Sequence, residues 1–485
     1  MIKLAKSAIV KHTTRLPVPL ACWLMAVNRS PGFIFGKGYR QYCRFLDLNR
    51  HRFNNHQLLL NVVNNAVCHV PYYNRRYGNT EINSLKKFEE QVDFINKDTI
   101  LSEYQSFIDP KIQLDEYDVG TTGGTSGKPL TFIAPKNRYA VEFATMHSLW
   151  KNAGYDFSVR AVMRSHRLPP NKDYIINPIT REVIFDGYRL NDSYFERVHS
   201  IIQRKNIQFI HCYPSTAYEL ALYFKKAEKD ISFLKAFLSG SENIFDYQRA
   251  LIENELGVRF YNWYGHSEKL VLAGYCPHTQ HYHAEPTYGY FELVDEQGRI
   301  IREKGATGEI VGTSFHNPGM PFIRYRTGDF AEYVGDYCEA CGRTLPVFKA
   351  VRGRWSGERI YNADGSFVTT TALNLHNELY QVINGLQYVQ LHKGALVVLI
   401  IKTPRYTQSH ETALYDHFKS KLGLGAEVEI RYVENLLRKS NGKFVQLMSR
   451  IDERGNLTAE EVSIIFDTKE HGTTHPAETM QADSE

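Results

Sequence analysis

Helical and strand patterns alternate repeatedly between residues 126 and about 323, and this alternation constrains the fold more than any other feature of the chain. In one unit, Ile244, Tyr247 and Leu251 have the spacing of one helical face, and the β-rich run Val258–Trp263 follows them. Such alternation is typical of domains in which helices cover a largely parallel sheet. We therefore expect an α/β core over this region.

The regions on either side of this core have other patterns. Upstream, apolar residues at positions 59, 62, 63, 66, 67 and 70 lie on one helical face, and we expect this helix to end at Val70 because Pro71 follows. Near the C-terminus, a hairpin over 386–401, a helix around 413–422 and a strand at 428–433 predict a compact α+β unit.

These changes of pattern predict two domains. An N-terminal domain is expected over residues 1–352, with a helical part at 1–110, and a small C-terminal domain is expected over 353–467. Residues 468–485 are polar and have no apolar period, so they are predicted to form a disordered tail.

Composition excludes several classes of protein. With 43% apolar and 23% charged residues, the 485-residue chain is neither collagenous nor low in complexity. The net charge of +5 is too small to indicate a nucleic-acid partner. Seven cysteines are an odd number spread over a long chain, which argues against a disulfide framework and favours a reducing, cytoplasmic setting.

The N-terminus carries a weak membrane signal. Lysines and an arginine precede the apolar run Pro17–Val27, as in a signal peptide, but the run has only 11 residues. A membrane span needs about 20 apolar residues, so no span is expected. We interpret the run as a packed helix or as one that contacts a membrane surface peripherally.

Four short segments carry residues suited to nucleotide chemistry. Thr121-Thr122-Gly123-Gly124-Thr125-Ser126-Gly127-Lys128-Pro129 can surround a phosphate with backbone N–H groups and hydroxyls, although the proline breaks P-loop spacing. Tyr264-Gly265-His266-Ser267-Glu268 ends a predicted strand, Tyr325-Arg326-Thr327-Gly328-Asp329 places a carboxylate beside a cation, and Ser440-Asn441-Gly442-Lys443 puts a lysine on a turn. Each segment alone is also typical of an ordinary turn or surface pair.

In this order, the four segments resemble the motifs of the adenylate-forming enzymes. Val70-Pro71-Tyr72-Tyr73 and Ser239-Gly240-Ser241-Glu242 are similar to the phenylacetate–CoA ligase branch, and in particular to its CapK-like members of capsule biosynthesis. The resemblance spans roughly residues 40 to 450. It implies an α/β fold with a large adenylation domain of several subdomains, followed by a small mobile α+β domain.

The resemblance implies a role for each matching residue. Lys443, Glu268 and Arg326 would be catalytic, with Lys443 at the α-phosphate and the carboxylate and Glu268 holding magnesium. The residues implied for ATP are Thr121 to Lys128 around the β- and γ-phosphates, Ser241 and Glu242 at the adenine, Tyr264 and Gly265 against the base, and Asp329 and Arg354 at the ribose.

Two further regions are placed by the same resemblance. The segment 211–217 would lie beside the acid-binding pocket, to which Arg164 and His166 could contribute. The adjacent His211 and Cys212 also suggest a Cys–His catalytic pair, although sequence neighbours rarely provide one. The hinge aspartate of the family falls on Gly357, next to Glu358, so no hinge acid is assigned.

Four of the Cys and His residues form a candidate metal site. Cys338 and Cys341 form a C-x-x-C knuckle, and Cys276 and His283 lie upstream in the segment 276–283. Three thiolates and one imidazole suit a tetrahedral structural zinc, with His278 or His281 as alternatives to His283. Free thiols or a redox pair are the other interpretation.

The expected function is an acid–thiol ligase reaction. ATP would activate a carboxylic acid as an acyl-adenylate, and coenzyme A would be the acceptor. An amine or sugar acceptor, or transfer of AMP to a phenolic hydroxyl as for a deazaflavin cofactor, stays an alternative. A non-catalytic zinc-ribbon binding protein is a hypothesis of another class. The expected partners include no nucleic acid, and the oligomeric state, with a homodimer among the options, is left open.

Overall fold

The structure is a computed structural model of the chain. It describes residues 16–27, 31–122, 130–353, 358–370, 372–373, 375, 379, 382–423, 425–437 and 445–451. In this part of the chain, no helix has both the length and the apolar character needed to cross a bilayer.

The N-terminal part is helical, as expected. One helical face ends where the sequence predicts, because Val70 is extended and Pro71 opens the next helix at its first turn. The helices are α1 (Val18–Val27), α2 (Pro31–Leu48), α3 (His56–His69), α4 (Pro71–Tyr77), α5 (Leu85–Gln91) and α6 (Lys97–Ser102), with 3₁₀ turns at Tyr104–Phe107 and Leu114–Glu116. A small antiparallel hairpin, β1 (Tyr117–Thr121) and β2 (Thr131–Pro135), follows them.

The centre of the molecule is a twelve-stranded sheet. Its strands are β3 (Arg160–Met163), β4 (Tyr174–Asn177), β5 (Glu182–Phe185), β6 (Phe209–Cys212), β7 (Ala236–Gly240), β8 (Arg259–Gly265), β9 (Leu272–Tyr275), β10 (Tyr282–Ala284), β11 (Gly289–Val294), β12 (Thr307–Ser314), β13 (Tyr325–Cys338) and β14 (Arg343–Arg352). The strand order is β11-β12-β13-β14-β10-β9-β8-β7-β6-β3-β5-β4.

The expectation of a largely parallel sheet is correct for one half and wrong for the other. Strands β5, β3, β6, β7 and β8 pair in parallel. Helices α8 (Asp192–Arg204), α9 (Pro214–Lys226) and α10 (Asp246–Arg249) connect them, as parallel pairing requires. From β9 onward the pairs are antiparallel, because short connections such as the four residues between β13 and β14 leave no room for a crossover helix.

The helix expected to contain Ile244 also starts later than the pattern suggests. Phe245 is extended, and its backbone N–H donates to Oε1 of Gln248 at 3.1 Å, so the helix begins at Asp246. It continues as a π-helix over Ala250–Glu255. Tyr247 is 47% exposed and thus does not share the buried face of Leu251.

The remaining helix of the N-terminal body covers the sheet near its middle. This helix, α7 (Arg138–Trp150), is followed by a 3₁₀ turn at Lys151–Ala153 and contacts β9.

The C-terminal region forms a separate small domain with its own sheet. The strands are β15 (Arg359–Tyr361), β16 (Phe367–Thr369), β17 (Ile383–Gln390), β18 (Ala395–Lys402), β19 (Glu427–Tyr432) and β20 (Leu447–Ser449). The sheet order is β19-β18-β17-β20, and α11 (Gln408–Leu422) buries Leu414, Phe418 and Leu422 at helical spacing. The expected hairpin, helix and strand are all present.

Candidate functional site

A cavity of about 300 Å³ lies at the carboxyl ends of the parallel strands, which is where open α/β sheets bind ligands. Strands β7 and β8 end side by side there, with Gly240 paired to Trp263. A Cβ on Gly240 would lie 2.5 Å from the Trp263 ring, so this close approach requires glycine. The residues expected at the site that line the cavity are Thr122, Arg164, Tyr213, Ser241, Glu242, Tyr264, Gly265, Glu268 and Asp329.

Ser241 and Glu242 turn away from the end of β7 into this cavity. Ser241 has φ of 73°, a left-handed conformation that is uncommon outside glycine. Residues held in such conformations cluster at functional sites. The Glu242 carboxylate is buried and accepts a hydrogen bond from the Ser215 backbone N–H at 3.1 Å, in the first turn of α9. Burial raises the pKa of Glu242 above its ordinary value.

Tyr264 and Asp329 are joined directly across two strands. The Tyr264 hydroxyl donates to Oδ2 of Asp329 at 2.9 Å, and both side chains are buried. The Asp329 backbone N–H donates to Oγ1 of Thr327 at 3.1 Å, which holds this turn of β13 in place. The result is a fixed carboxylate beside an aromatic ring at one wall of the cavity.

Glu268 is the third buried carboxylate in the cavity wall, after Glu242 and Asp329. It accepts a hydrogen bond from the Tyr325 hydroxyl at 3.1 Å. A fourth carboxylate, that of Glu142 on α7, was not expected from the sequence. It accepts hydrogen bonds from Lys269 Nζ at 2.7 Å and from the Tyr288 hydroxyl at 2.6 Å. Burial alone would raise the pKa of Glu142, but Lys269 and the hydroxyl outweigh it and lower the pKa.

The end of the cavity beside β6 carries a cation. The Arg164 guanidinium donates to Nε2 of His211 at 2.8 Å and to Oγ of Ser241 at 3.0 Å, and it stacks 4.4 Å above the Tyr213 ring. Burial keeps the pKa of His211 well below its ordinary value, so the imidazole is neutral and can accept this bond.

Two other predicted residues of this region take no part in the cavity. His166 is not among the lining residues. Cys212 and His211 are neighbours on β6, so their side chains point to opposite faces of the sheet, and they do not form a catalytic pair. Burial raises the pKa of Cys212 to about 12, which makes it an unreactive thiol.

Of the remaining predicted site residues, Arg326 and Thr121 do not line the cavity, and the others lie outside the part of the chain that the structure describes. Arg326 is not a lining residue; its Nε lies 2.7 Å from Oε2 of Glu309, with which it forms an ion pair. A catalytic role of Arg326 stays a prediction, and in this structure its guanidinium is paired with Glu309. The described residues do not include Gly123 to Pro129, Arg354, Gly357 or Lys443. Of the first motif, Thr121 is the last residue of β1, and Thr122 forms hydrogen bonds with Leu130.

The candidate metal site is assembled at the far end of β13 and β14. The ligand atoms of Cys276, His283, Cys338 and Cys341 all lie within 4.8 Å of one another, and neither His278 nor His281 belongs to this group. The sulfurs of Cys276 and Cys338 are 3.7 Å apart, close to the roughly 3.8 Å between two thiolates on one tetrahedral zinc.

The surroundings of these four side chains fit a metal. Both ring nitrogens of His283 are buried without a hydrogen-bond partner in the described structure. The His278 backbone N–H points to the Cys276 sulfur at 3.4 Å, and the Gly342 N–H donates to the Cys338 carbonyl at 2.8 Å, which shapes the knuckle. Four protein ligands would leave no open position, so such a site would be structural.

Comparison with known proteins identifies the small domain directly. Residues 360–449 match the family model of the CapK C-terminal domain. No curated protein matches the chain.

Among solved structures, the fold is similar to that of 2-hydroxyisobutyryl-CoA ligase. In its complex with 2-HIB-AMP and CoA in the thioesterification state, that enzyme is 16% identical, with a TM-score of 0.53 over 81% of this chain and 88% of the ligase. Its open conformation with the same ligands is 17% identical, with a TM-score of 0.50 over 81% and 90%. Residues 360–449 therefore form a CapK C-terminal domain, and the chain as a whole has a fold similar to that of 2-hydroxyisobutyryl-CoA ligase, as the resemblance in the motifs implies.

Proposed function

We propose that this protein is an ATP-dependent, AMP-forming ligase that activates a carboxylic acid as an acyl-adenylate. The observation that carries the proposal is one cavity at the strand ends into which Ser241, Glu242, Tyr264, Glu268 and Asp329 all project. These residues come from three separate strands and strand ends, and each has a polar or aromatic group suited to part of a nucleotide.

The nucleotide would occupy the β7–β8 end of the cavity. The Asp329 carboxylate, fixed by Tyr264, can accept hydrogen bonds from both ribose hydroxyls. The Tyr264 ring offers a face for the adenine, and the Ser241–Glu242 turn offers polar groups at the edge of the base. The 121–128 segment is proposed to surround the phosphates.

The first half-reaction would join the acid to the α-phosphate. A carboxylate oxygen of the acid attacks the α-phosphorus, the bond from that phosphorus to the β-phosphate oxygen breaks, and pyrophosphate leaves. Glu268 is proposed to hold magnesium, which neutralises charge on the phosphoryl oxygens when bound. Lys443 is proposed to stabilise the same charge from the small domain.

Arg164 is proposed to receive the acid. It lines the cavity, and among the described residues it forms no ion pair, so its positive charge can meet the carboxylate of a substrate. Since His211 and Tyr213 hold the guanidinium from two sides, it is already oriented before the acid binds.

In the second half-reaction, we propose coenzyme A as the acceptor. Its sulfur would attack the acyl carbon, the bond from that carbon to the phosphate oxygen would break so that AMP leaves, and the thiol proton would pass to water. The proposal is supported by the similar fold of a ligase whose structure contains 2-HIB-AMP and CoA. A role in capsule biosynthesis is proposed from the CapK C-terminal domain, and zinc is proposed for the Cys₃His site.

The test is a pyrophosphate-release screen of the full chain with ATP, magnesium and aryl, fatty and amino acids, with and without coenzyme A. We expect release to depend on one class of acid, and AMP release in the second half-reaction to depend on the acceptor. Failure of every acid class to cause release, with a folded protein, contradicts the proposal. A product that carries covalent AMP would instead assign the protein as an adenylyltransferase.

The role of Lys443 can be tested with the acid found in that screen. We expect Lys443→Ala to abolish acid-dependent ATP–pyrophosphate exchange and to leave ATP binding largely unchanged. Lys439→Ala, in the same segment, is the matched control. Normal exchange by the Lys443 variant would exclude this lysine from adenylation.

A further inference from the structure

Helix α1 has an unusual surface for its position. None of its ten side chains is charged or carries a polar oxygen or nitrogen apart from the indole of Trp23. Ala21 and Met25 are buried and pack with Ile176 of β4, the last strand of the large sheet. This contact seats the helix firmly along the edge of the sheet.

The outward face of α1 is apolar and exposed. Trp23 is 61% exposed, Leu20 44% and Val18 42%. A helix on the surface of a globular protein ordinarily turns charged or polar side chains to water on this face. An exposed apolar patch of this kind indicates an interaction site.

Positive charge is concentrated in the part of the sequence that contains this helix. Eight Lys and Arg residues and no Asp or Glu precede Asp47. Since the whole chain has a net charge of +5, the remainder of the sequence carries −3. In the described structure, Lys205 places Nζ 3.7 Å from the Cys22 sulfur, and Arg181 donates from Nη1 to the Met25 carbonyl at 2.8 Å, so cations flank the helix itself.

We propose that α1 is a docking surface for an anionic lipid bilayer. A ten-residue helix is about 15 Å long, half the hydrocarbon thickness, so it lies in the interface and does not cross it. Trp23 inserts at the headgroup level, where indole rings partition, and lysines and arginines from the same part of the sequence meet the lipid phosphates.

The charge distribution favours a bilayer over a second copy of the chain. Two copies that met through α1 would bring two strongly positive segments together, which costs free energy, whereas anionic headgroups neutralise them. In the strand order, β4 lies four strands from β7, at the edge of the sheet. A bilayer that contacts α1 would therefore cover this edge and leave the ends of β7 and β8 at the cavity open.

The proposal is tested by flotation of the full chain with vesicles of phosphatidylcholine alone or mixed with phosphatidylglycerol. We expect binding to the mixed vesicles only, with loss of binding at high salt. The triple variant K3Q/K6Q/K11Q should bind more weakly by roughly fivefold for each lysine removed, since each is worth about 1 kcal/mol near an anionic surface.

The apolar contribution is tested with Trp23→Ser and Leu20→Ser, which should each reduce binding several-fold without changing the unfolding temperature. Tyr415→Ser, an exposed aromatic of the small domain, is the matched control and should bind normally. Absence of binding, equal binding to both vesicle types, or unchanged binding by the Trp23 variant would overturn the proposal. A dimer in light scattering that Trp23→Ser dissociates would overturn it in favour of self-association.

Discussion

The hydrogen bond between Tyr264 and Asp329 allows a sharp test of the nucleotide site. Tyr264→Phe removes one hydroxyl and keeps the ring, so contact with the base is preserved. The deleted bond is 2.9 Å long and joins two buried side chains, of which one is the carboxylate proposed to hold the ribose. Asp329 retains its backbone position, because its own N–H bonds Thr327.

The size of the effect follows from the charge and burial of the acceptor. A hydrogen bond to a charged group contributes about 1.5–3 kcal/mol, which corresponds to roughly 10- to 150-fold in an equilibrium constant. Ribose hydroxyls partly replace the lost donor when ATP binds, so we expect the lower end, an increase of about tenfold in the KM for ATP. The ribose is remote from the reacting atoms and is held equally before and during the reaction, so kcat should change little.

The assay is ATP–pyrophosphate exchange with the activated acid, measured as a function of ATP concentration. Tyr261→Phe is the matched control, since Tyr261 lies on the same strand and its buried hydroxyl has no hydrogen-bond partner in the described structure. The reasoning is refuted if Tyr264→Phe leaves the KM for ATP within twofold of the native value, or if both variants change it equally.

Three further predictions concern the metal, the core and pH. Cys338→Ser should lower bound zinc, measured by metal analysis, and the unfolding temperature, whereas Cys68→Ser, an exposed thiol, should do neither. Glu292→Gln removes the negative charge that pairs with the buried Arg324 guanidinium at 2.9 Å. Urea unfolding should therefore show a loss of about 3 kcal/mol in the free energy of unfolding, and a loss below about 1 kcal/mol would contradict this. Because burial raises the pKa of Glu242 above 4.5, the folded state holds its proton more tightly, and this stabilisation is lost as pH rises through the folded-state pKa. Glu242→Gln should therefore lack that decline in thermal unfolding experiments and be more stable at neutral pH.

The local parts of the fold could be predicted because their signals are local. The hairpin β17–β18 and helix α11 follow apolar periods of two and of 3.6 residues, which a short stretch of sequence contains in full. Strand direction is not encoded in that way, since a β-rich run has the same pattern in either direction. Direction is set by the connections, and from β9 onward these are too short for parallel pairing.

The candidate site could be predicted where its residues belong to motifs, and not where they meet only in space. Glu142 and Lys269 form one wall of the cavity but are 127 residues apart in the chain, and neither has neighbours that indicate its partner. Arg326 shows the opposite case, a motif residue that does not line the cavity. Along β13, Tyr325, Thr327 and Asp329 are buried on one face, and the alternation of the strand turns Arg326 to the other face, toward Glu309.

The position of Tyr213 connects the two domains physically. The Tyr213 ring lines the cavity and lies 4.4 Å from the Arg164 guanidinium. The same side chain belongs to an apolar cluster that contains Tyr188 and residues of the small domain. Lys421 of α11 donates from Nζ to the Tyr188 hydroxyl at 2.6 Å, so that cluster is also tied by a polar contact between the domains. Cores are close-packed, so a ligand that moves the Tyr213 ring must change the packing of the small domain as well. We therefore expect the proposed binding of an acid beside Arg164 to be coupled to the placement of the small domain through the Tyr213 side chain.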